Sequence, residues 1–487
     1  MRYNAAPLGD TLGYWKRQNL ILTTVSLCLA FGTFASAWHA QIDDATRQLS
    51  HDIFKELIEI NTTDSVGSTT LAAQAMAKRL LDAGFPASDV QVLGPNARKG
   101  NMVARLHGSG TKKPILFICH TDVVEARRED WSLDPFKFTE KEGYFYGRGT
   151  EDIKEGDAIL VTTFIRLKRE GYRPDRDLIL ALTADEEGGA FNGVDWLLRN
   201  HRDLIDADYI LNPDAGDFEI DNGKRLLVGI QASEKLYADF TLEVHNKGGH
   251  SSLPVPDNAI YQLAEGLTHL SHYEFPFELN EVTRAYFAKE ADIVGGTESA
   301  DMKAILQTPP DETAIARLSK TPFYNSRFRT TCVATRLEAG HANNALPGFA
   351  RANVNCRILP GHPPEEIRQQ LIKILAEPEI SVTIQDNSGL GPKANPPSPL
   401  RPDVMGALEK VVNQMWPGVP VIPVMDAGAS DGAISRAAGI PTYGVPGVFI
   451  DINDDRSHGR DERLPVASFY EGVDFYYRFI KALSSGQ

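Results

Sequence analysis

Cysteine is scarce in this chain: four residues in 487, Cys28, Cys119, Cys332 and Cys356. So few exclude a disulfide-stapled scaffold, and the fold has to stand on its apolar core. Cys119 sits inside an apolar run and reads as core, whereas Cys332 and Cys356 could pair. Positive charge is also short, 50 Lys and Arg against 65 Asp and Glu. The resulting net charge of -15 sets nucleic acid aside as a partner. Internal repeats and low-complexity tracts are absent, so no repeat architecture is expected.

What is present describes a globular protein with a processed start. The hydrophobic share of 42% and charged share of 24% are those of a soluble chain, and the length suits two or three domains. Near the N-terminus, Lys16 and Arg17 precede an uncharged apolar stretch from Leu20 to Ala37 that ends in Ala35-Ser36-Ala37. A basic flank, an apolar core and a small-residue exit describe a secretory signal over residues 1–37. The alternative is a membrane anchor, because the run approaches spanning length. The expectation is export, to a periplasm or the medium.

Along the chain, apolar strands alternate with helices. Residues from Asp44 to Phe85 read as helix, with Ile53, Leu57, Ile58, Leu71, Ala75 and Leu80 at helical spacing. Ile115 to Cys119 and Leu178 to Ala184 read as buried strands, with a helix from Gly156 to Gly171 between them. This order predicts an α/β fold with a largely parallel sheet between helices. After Ile230 the pattern changes, and Leu236 to His245 alternates as a half-exposed strand with Tyr237, Phe240, Leu242 and Val244 as its apolar set. The expected division is a catalytic domain over 38–232 and 393–487, interrupted by an α+β lid or dimerisation domain over 233–392. The Gly- and Pro-rich stretch from Gly389 to Pro399 reads as the linker back.

The two strong strands end in chemistry. Ile115 to Cys119 runs into His120-Thr121-Asp122, and Leu178 to Ala184 runs into Asp185-Glu186-Glu187. Asp152, Asp214 and His458 are available as further partners. Imidazole and carboxylate are the ligands of catalytic zinc, and a bridging carboxylate lets two ions sit close together. Sites in open α/β sheets form beyond the carboxyl ends of strands, where these residues fall. Alone, a His-x-Asp or a Glu-Glu pair is ordinary surface charge; several in register after strand ends are not.

Six stretches strengthen the pattern: His120-Thr121-Asp122, Gly147-Arg148-Gly149 through Asp152 and Lys154, Asp185-Glu186-Glu187-Gly188, Gly248-Gly249-His250-Ser251-Ser252, Asn343-Asn344-Ala345-Leu346-Pro347, and Ser457-His458-Gly459-Arg460-Asp461-Glu462. In this order over residues 45–480, the chain resembles the di-zinc family of carboxypeptidase S, glutamate carboxypeptidase, aminoacylase, carnosinase and succinyl-diaminopimelate desuccinylase. The resemblance implies two divalent ions, zinc by preference. His120 and Asp214 would hold one, Glu187 and His458 the other, and Asp152 would bridge them. Asp122 would orient His120, and Glu186 would be the general base. His250 would donate to the oxyanion, in dimeric relatives from the partner subunit. Asn344 and Arg357 would hold substrate, and the loop from Gly428 to Gly432 would contribute to a carboxylate pocket. The implied substrate is a small peptide or an N-acyl amino acid, and the implied assembly a homodimer through the inserted domain. Two departures stand out. Glu155-Gly156-Asp157 follow Lys154 where relatives run into Gly-Gly, and Asp214-Ala215-Gly216 replaces Asp-Glu-Gly, with Asp217 as a nearby alternative ligand.

Overall fold

The computed structural model describes residues 42–385 and 393–485; the expected signal segment and part of the linker lie outside the described residues. A ten-stranded sheet runs in the order Val90–Leu93, Asn101–Leu106, Leu178–Thr183, Ile115–His120, Tyr209–Asn212, Thr442–Gly444, Lys224–Glu234, Asp217–Asp221, Ile450–Asp451, with Val421–Asp426 pairing beside Lys224–Glu234. Its centre is parallel, and antiparallel pairs appear toward the ends.

Ile115–His120 and Leu178–Thr183 are buried along their whole length. Alternate residues serve opposite faces, as the strand period of two requires. Ile115, Phe117 and Cys119 enter a core shared with the helices Asp44–Glu59, Lys154–Arg169, Pro402–Met415 and Val466–Ser484. Leu116 and Ile118 enter a second core with Val194 and Leu197 of Gly193–Asn200. Continuous apolar runs are what a strand covered on both faces needs. Cys119 is buried as a core residue.

The helical stretch expected from Asp44 to Phe85 is two helices, Asp44–Glu59 and Thr69–Asp82. The break has a local cause. The Asn61 side chain accepts from the backbone N–H of Thr63 at 2.9 Å, and a Cβ on Gly67 would fall 2.4 Å from the Thr63 nitrogen. Asn in this role competes with helical hydrogen bonding.

A separate α+β layer is built on an antiparallel sheet ordered Thr331–Ala339, Phe349–Ile358, Leu236–His245, Ser381–Ile384. The helices Ala259–His272 and Pro364–Leu375 cover one face. Along Leu236–His245 the buried set is Leu236, Ala238, Phe240, Leu242 and Val244. Tyr237 therefore belongs to the opposite face, a correction that follows from parity, and the Arg357 guanidinium lies over its ring. Cys332 and Cys356 face each other on adjacent strands and form a disulfide. Four helices between 281 and 327 do not join this sheet. Their apolar side chains, Phe287, Met302, Ile315 and Phe328 among them, cluster with Ile422 and Val424 of the central sheet.

Candidate metal centre

Parallel pairing sets the site's position. His120 lies opposite Thr183 at matching strand ends, and Thr121 donates its backbone N–H to the Thr183 carbonyl at 2.8 Å. The chain after Thr183 then turns, and Asp122 holds that turn. Its carboxylate accepts from the backbone N–H groups of Glu186 at 3.1 Å and Glu187 at 3.0 Å. Asp185 is drawn away by a buried ion pair with Lys99, which also meets Asp64 at 2.5 Å. Only glycine fits at Gly189, where φ is +108° and a Cβ would sit 2.4 Å from the Asp185 carboxylate. The turn thus presents Glu186 and Glu187, and not Asp185, to the space beyond the strands.

Two imidazoles converge there on one carboxylate. His120 Nε2 lies 3.2 Å from Asp152 Oδ1, 3.5 Å from Asp214 Oδ1 and 4.0 Å from Glu186 Oε2. His458 Nε2 lies 2.9 Å from Asp152 Oδ2 and 2.9 Å from Glu187 Oε1. His120, Asp122, Asp152, Glu186, Glu187, Asp214 and His458 are therefore brought together from distant parts of the chain. Asp122 meets His120 differently from the expected carboxylate contact. Its backbone carbonyl lies 3.1 Å from His120 Nδ1, while its carboxylate oxygen is 3.7 Å away and serves the Glu186 turn. Either way, Nε2 is aimed at the carboxylates.

The donor set fits divalent cations. Two groups, His120 with Glu186 and Asp214, and His120 with Asp152 and Glu187, each place their ligand atoms within 4.8 Å of one another. His120 Nε2 and Asp152 Oδ1 are buried and have no hydrogen-bond partner among the described residues, which is the condition of atoms awaiting a ligand. The electrostatics agree. Hydrogen bonds to Asp152 and Glu187 push His458 up to about 10, against its burial. Burial works against the charge on His120 too, but Asp214 and Asp152 carry its pKa well above the ordinary range. A bound cation replaces those protons, so binding releases them. Burial, then the charge of Asp214, raises Glu186 well above the usual carboxylate range.

The remaining predicted residues lie elsewhere. Gly249–His250 pairs with Ala345–Leu346, and Ser251 donates to the Asn344 carbonyl at 3.1 Å, so His250 and Asn344 are neighbours. His250 is exposed, with Nδ1 2.7 Å from Ser252 Oγ. Among the described residues neither His250 nor Asn344 has a hydrogen bond or ion pair with the metal-side groups. Arg357 donates to the Ala427 carbonyl at 3.1 Å and so links the lid sheet to the loop from Gly428 to Gly432. Asp217 begins its own strand and is in neither ligand group.

Sequence reasoning assigned no role to Arg148, Asn192 or Glu462, and named Asp431 only within the loop from Gly428 to Gly432. Buried Asp431 accepts from Asn192 Nδ2 at 2.6 Å, and burial pushes it up to about 7. Glu462, fully buried, accepts from the Glu151 backbone N–H at 2.7 Å and pairs with Arg148 at 2.5 Å. Arg148 in turn donates to the Gly459 carbonyl at 2.8 Å, so the loops carrying Asp152 and His458 are tied to each other. Both Arg148 and Glu462 were visible in the six stretches that carry the family resemblance, whereas nothing marked Asn192.

Comparison with known proteins agrees with this centre. The chain is 28% identical over 387 residues to the human N-fatty-acyl-amino acid synthase/hydrolase PM20D1, covering 77% of this chain and 75% of that protein. It is 29% identical over 390 residues to the probable carboxypeptidase S-like 2 of Dictyostelium discoideum, covering 76% and 71%. Among solved structures, the M20 family metallo-carboxypeptidase Sso-CP2 from Sulfolobus solfataricus superposes with a TM-score of 0.67 over 91% of this chain and 99% of that one, at 17% identity, which is a likeness of fold. The sequence profile of peptidase family M20/M25/M40 matches residues 116–482, a span that takes in every residue of the two-histidine centre, and the chain belongs to that family of metal-dependent hydrolases.

Proposed function

We propose that this protein is an exported exopeptidase of the carboxypeptidase or dipeptidase type, hydrolysing an amide bond next to a free carboxylate. The observation that carries the reading is Asp152 placed between His120 and His458, with Glu186 beside them. These residues would hold two divalent ions, zinc by preference, which when bound would supply Lewis-acid activation of the amide carbonyl and of the attacking water. A half-buried Glu186 with raised proton affinity suits a base that takes a proton from the attacking water and returns it to the leaving amine. His250 would serve the oxyanion.

A cavity of about 530 Å³ begins at Glu186 and reaches the loop at Ala429 and Ser430. Leu198, Leu236, Ala433 and Ile434 give it an apolar lining. This supports an apolar side chain on the residue released, with its carboxylate near the Gly428 to Gly432 loop. A second reading, N-acyl amino acid hydrolysis, is favoured by the likeness to a protein named for N-fatty-acyl-amino acids. The released amino acid is of the same kind in both.

Export is supported by the Cys332–Cys356 disulfide, since such bonds persist in oxidising compartments. A homodimer is supported by exposed Val333 and Leu337 on the edge strand Thr331–Ala339 and by a His250 that, among the described residues, makes no hydrogen bond or ion pair with the metal-side groups. Mixing inactive His250→Ala and Glu186→Ala chains restores activity if His250 acts across the dimer.

The deciding experiment measures metal content together with turnover of dipeptides and N-acyl amino acids by the mature protein, whose N-terminus is sequenced. Close to two metals per chain with C-terminal residue release supports the exopeptidase. Cleavage confined to acyl substrates moves the protein to the second reading. Metal without hydrolysis of either class refutes both.

A further inference from the structure

We propose that Asp431 is a positioning residue that, through Asn192, couples the loop receiving the released residue's carboxylate to the turn presenting Glu186. The coupling rests on the amide-hydrolase reading and concerns how the base of that reaction is held. Asp431 belongs to neither ligand group, so the metal centre alone gives a buried carboxyl at this point no role.

The turn that carries Glu186 stands on two feet that meet. Gly193 donates its backbone N–H to the Ala184 carbonyl at 2.7 Å, and Ala184 donates its own to Asn101 Oδ1 at 3.0 Å. Asp431 reaches both feet from the C-terminal part of the chain. Its Oδ1 accepts from Asn192 Nδ2 at 2.6 Å, after the turn. Its Oδ2 lies 3.4 Å from the Thr183 hydroxyl, before the turn, which also reaches the Cys119 carbonyl at 3.2 Å. Asp431 is 3% exposed, so these contacts are sheltered from water, where hydrogen bonds are strongest. The other end of the Asn192 amide is committed as well. Its Oδ1 accepts from the Asp195 backbone N–H at 3.0 Å and caps the helix Gly193–Asn200. The cap fixes which end of the amide is the donor, and that donor meets Asp431.

Asp431 is fastened in turn to the carboxylate loop. It opens the helix Asp431–Ala437, whose N-cap Ser430 accepts from the Gly432 backbone N–H at 3.1 Å and donates to buried Glu234 at 2.8 Å. Glu234 ends its central strand, and Arg357 of the lid holds the loop's other end through the Ala427 carbonyl at 3.1 Å. Glu186, Asn192, Ala429, Ser430 and Asp431 all line the one apolar cavity. A carboxylate seated on the loop thus bears on Asp431, Asp431 on Asn192, and Asn192 on the turn that presents Glu186. Recognition of the carboxylate then enters kcat and not KM alone, because binding of a remote group is used to align the reacting ones.

The test uses the full-length chain loaded with zinc. Gly-Leu and N-lauroyl-leucine are each compared with their C-terminal carboxamides, and the pair that wild type turns over faster is followed. Asn192→Ser keeps a capping oxygen and loses the donor to Asp431. The double variant Asn192→Asp with Asp431→Asn keeps the hydrogen bond and reverses its direction. In wild type, kcat for the free carboxylate is expected to exceed that for the carboxamide by at least about tenfold, well inside what a misplacement of about 1 Å can cost. Asn192→Ser removes that advantage: kcat for the carboxylate falls to the level of the carboxamide, KM stays nearly constant, and metal content is unchanged. The double variant recovers the wild-type preference. Should Asn192→Ser not fold, Asn192→Asp alone, which sets two carboxylates against each other, takes its place. Equal losses on carboxylate and carboxamide, loss of metal along with kcat, or a double variant no better than the single one overturns the coupling and leaves the hydrolase reading intact. A wild-type kcat that ignores the carboxylate does the same. Turnover of none of the four compounds overturns the hydrolase reading and the coupling with it.

Discussion

Asp152 divides its carboxylate between two imidazoles, with Oδ1 3.2 Å from His120 Nε2 and Oδ2 2.9 Å from His458 Nε2. One carboxylate therefore stands between the two imidazoles. Asp152→Asn keeps the shape and removes the charge. It is expected to weaken metal binding by more than about a hundredfold, beyond the loss seen when only an outer-shell partner is removed. Retention of two metals after dialysis against a chelator would contradict the bridging role.

Glu186 lies 4.0 Å from His120, farther than Asp152 at 3.2 Å and Asp214 at 3.5 Å. Glu186→Ala should lower kcat by about a thousandfold, within the range for a general base, while metal content stays nearly intact. Loss of one metal per chain in that variant would make Glu186 a ligand and the assignment wrong.

The buried pair of Arg148 and Glu462 holds the two ligand loops. Removing one member leaves a buried charge without its partner, which typically costs about 3–5 kcal/mol. Glu462→Ala is expected to lose stability of that order in urea denaturation. A change below about 1 kcal/mol would mean the loops are held by other contacts.

Cys332 and Cys356 close a loop of 24 residues in sequence separation. Cross-linking such a loop contributes about 3 kcal/mol on the chain-entropy account. Cys332→Ser with Cys356→Ser should therefore lower the urea midpoint, and denatured, unreduced protein should show one titratable thiol, that of the buried Cys119, once Cys28 is removed with the signal. Two further free thiols in denatured, unreduced protein would show that the bond does not form.

Burial, and then the neighbouring charge of Asp426, pushes Asp217 up to about 7. An unfolded Asp loses its proton near pH 4, whereas the folded one keeps it to about 7. Stability from this group is full below pH 4, falls as the pH rises toward 7, and is flat above. Asp217→Asn in metal-free protein should remove about 1–2 kcal/mol of that decline, a figure reduced for the group's partial exposure. Identical slopes for the two proteins over pH 4–7 would refute it.

Much of the fold was legible because its strands are covered on both faces. Ile115 to Cys119 and Leu178 to Ala184 are uninterrupted apolar runs, and in water such runs have one stable use. The ends of those runs located His120, Asp122, Glu186 and Glu187. The helical stretch from Asp44 to Phe85 was less legible, since its break depends on the Asn61 side chain and the close packing of Gly67. Tyr237 was misplaced because an exposed aromatic resembles a buried one until parity along the strand is fixed by its partners.

The sequence by itself determined the ligand types, the strand ends that carry them, and the disparity between a strongly apolar sheet and the alternating lid. These are local properties, encoded in neighbouring residues. Only the tertiary structure decided that Asp152 stands between His120 and His458, that Asp122 serves the Glu186 turn, and that Glu462 joins loops 310 residues apart. Those are distances between groups far apart in the chain, and they exist only once the parallel sheet has closed and its buried charges have found their partners.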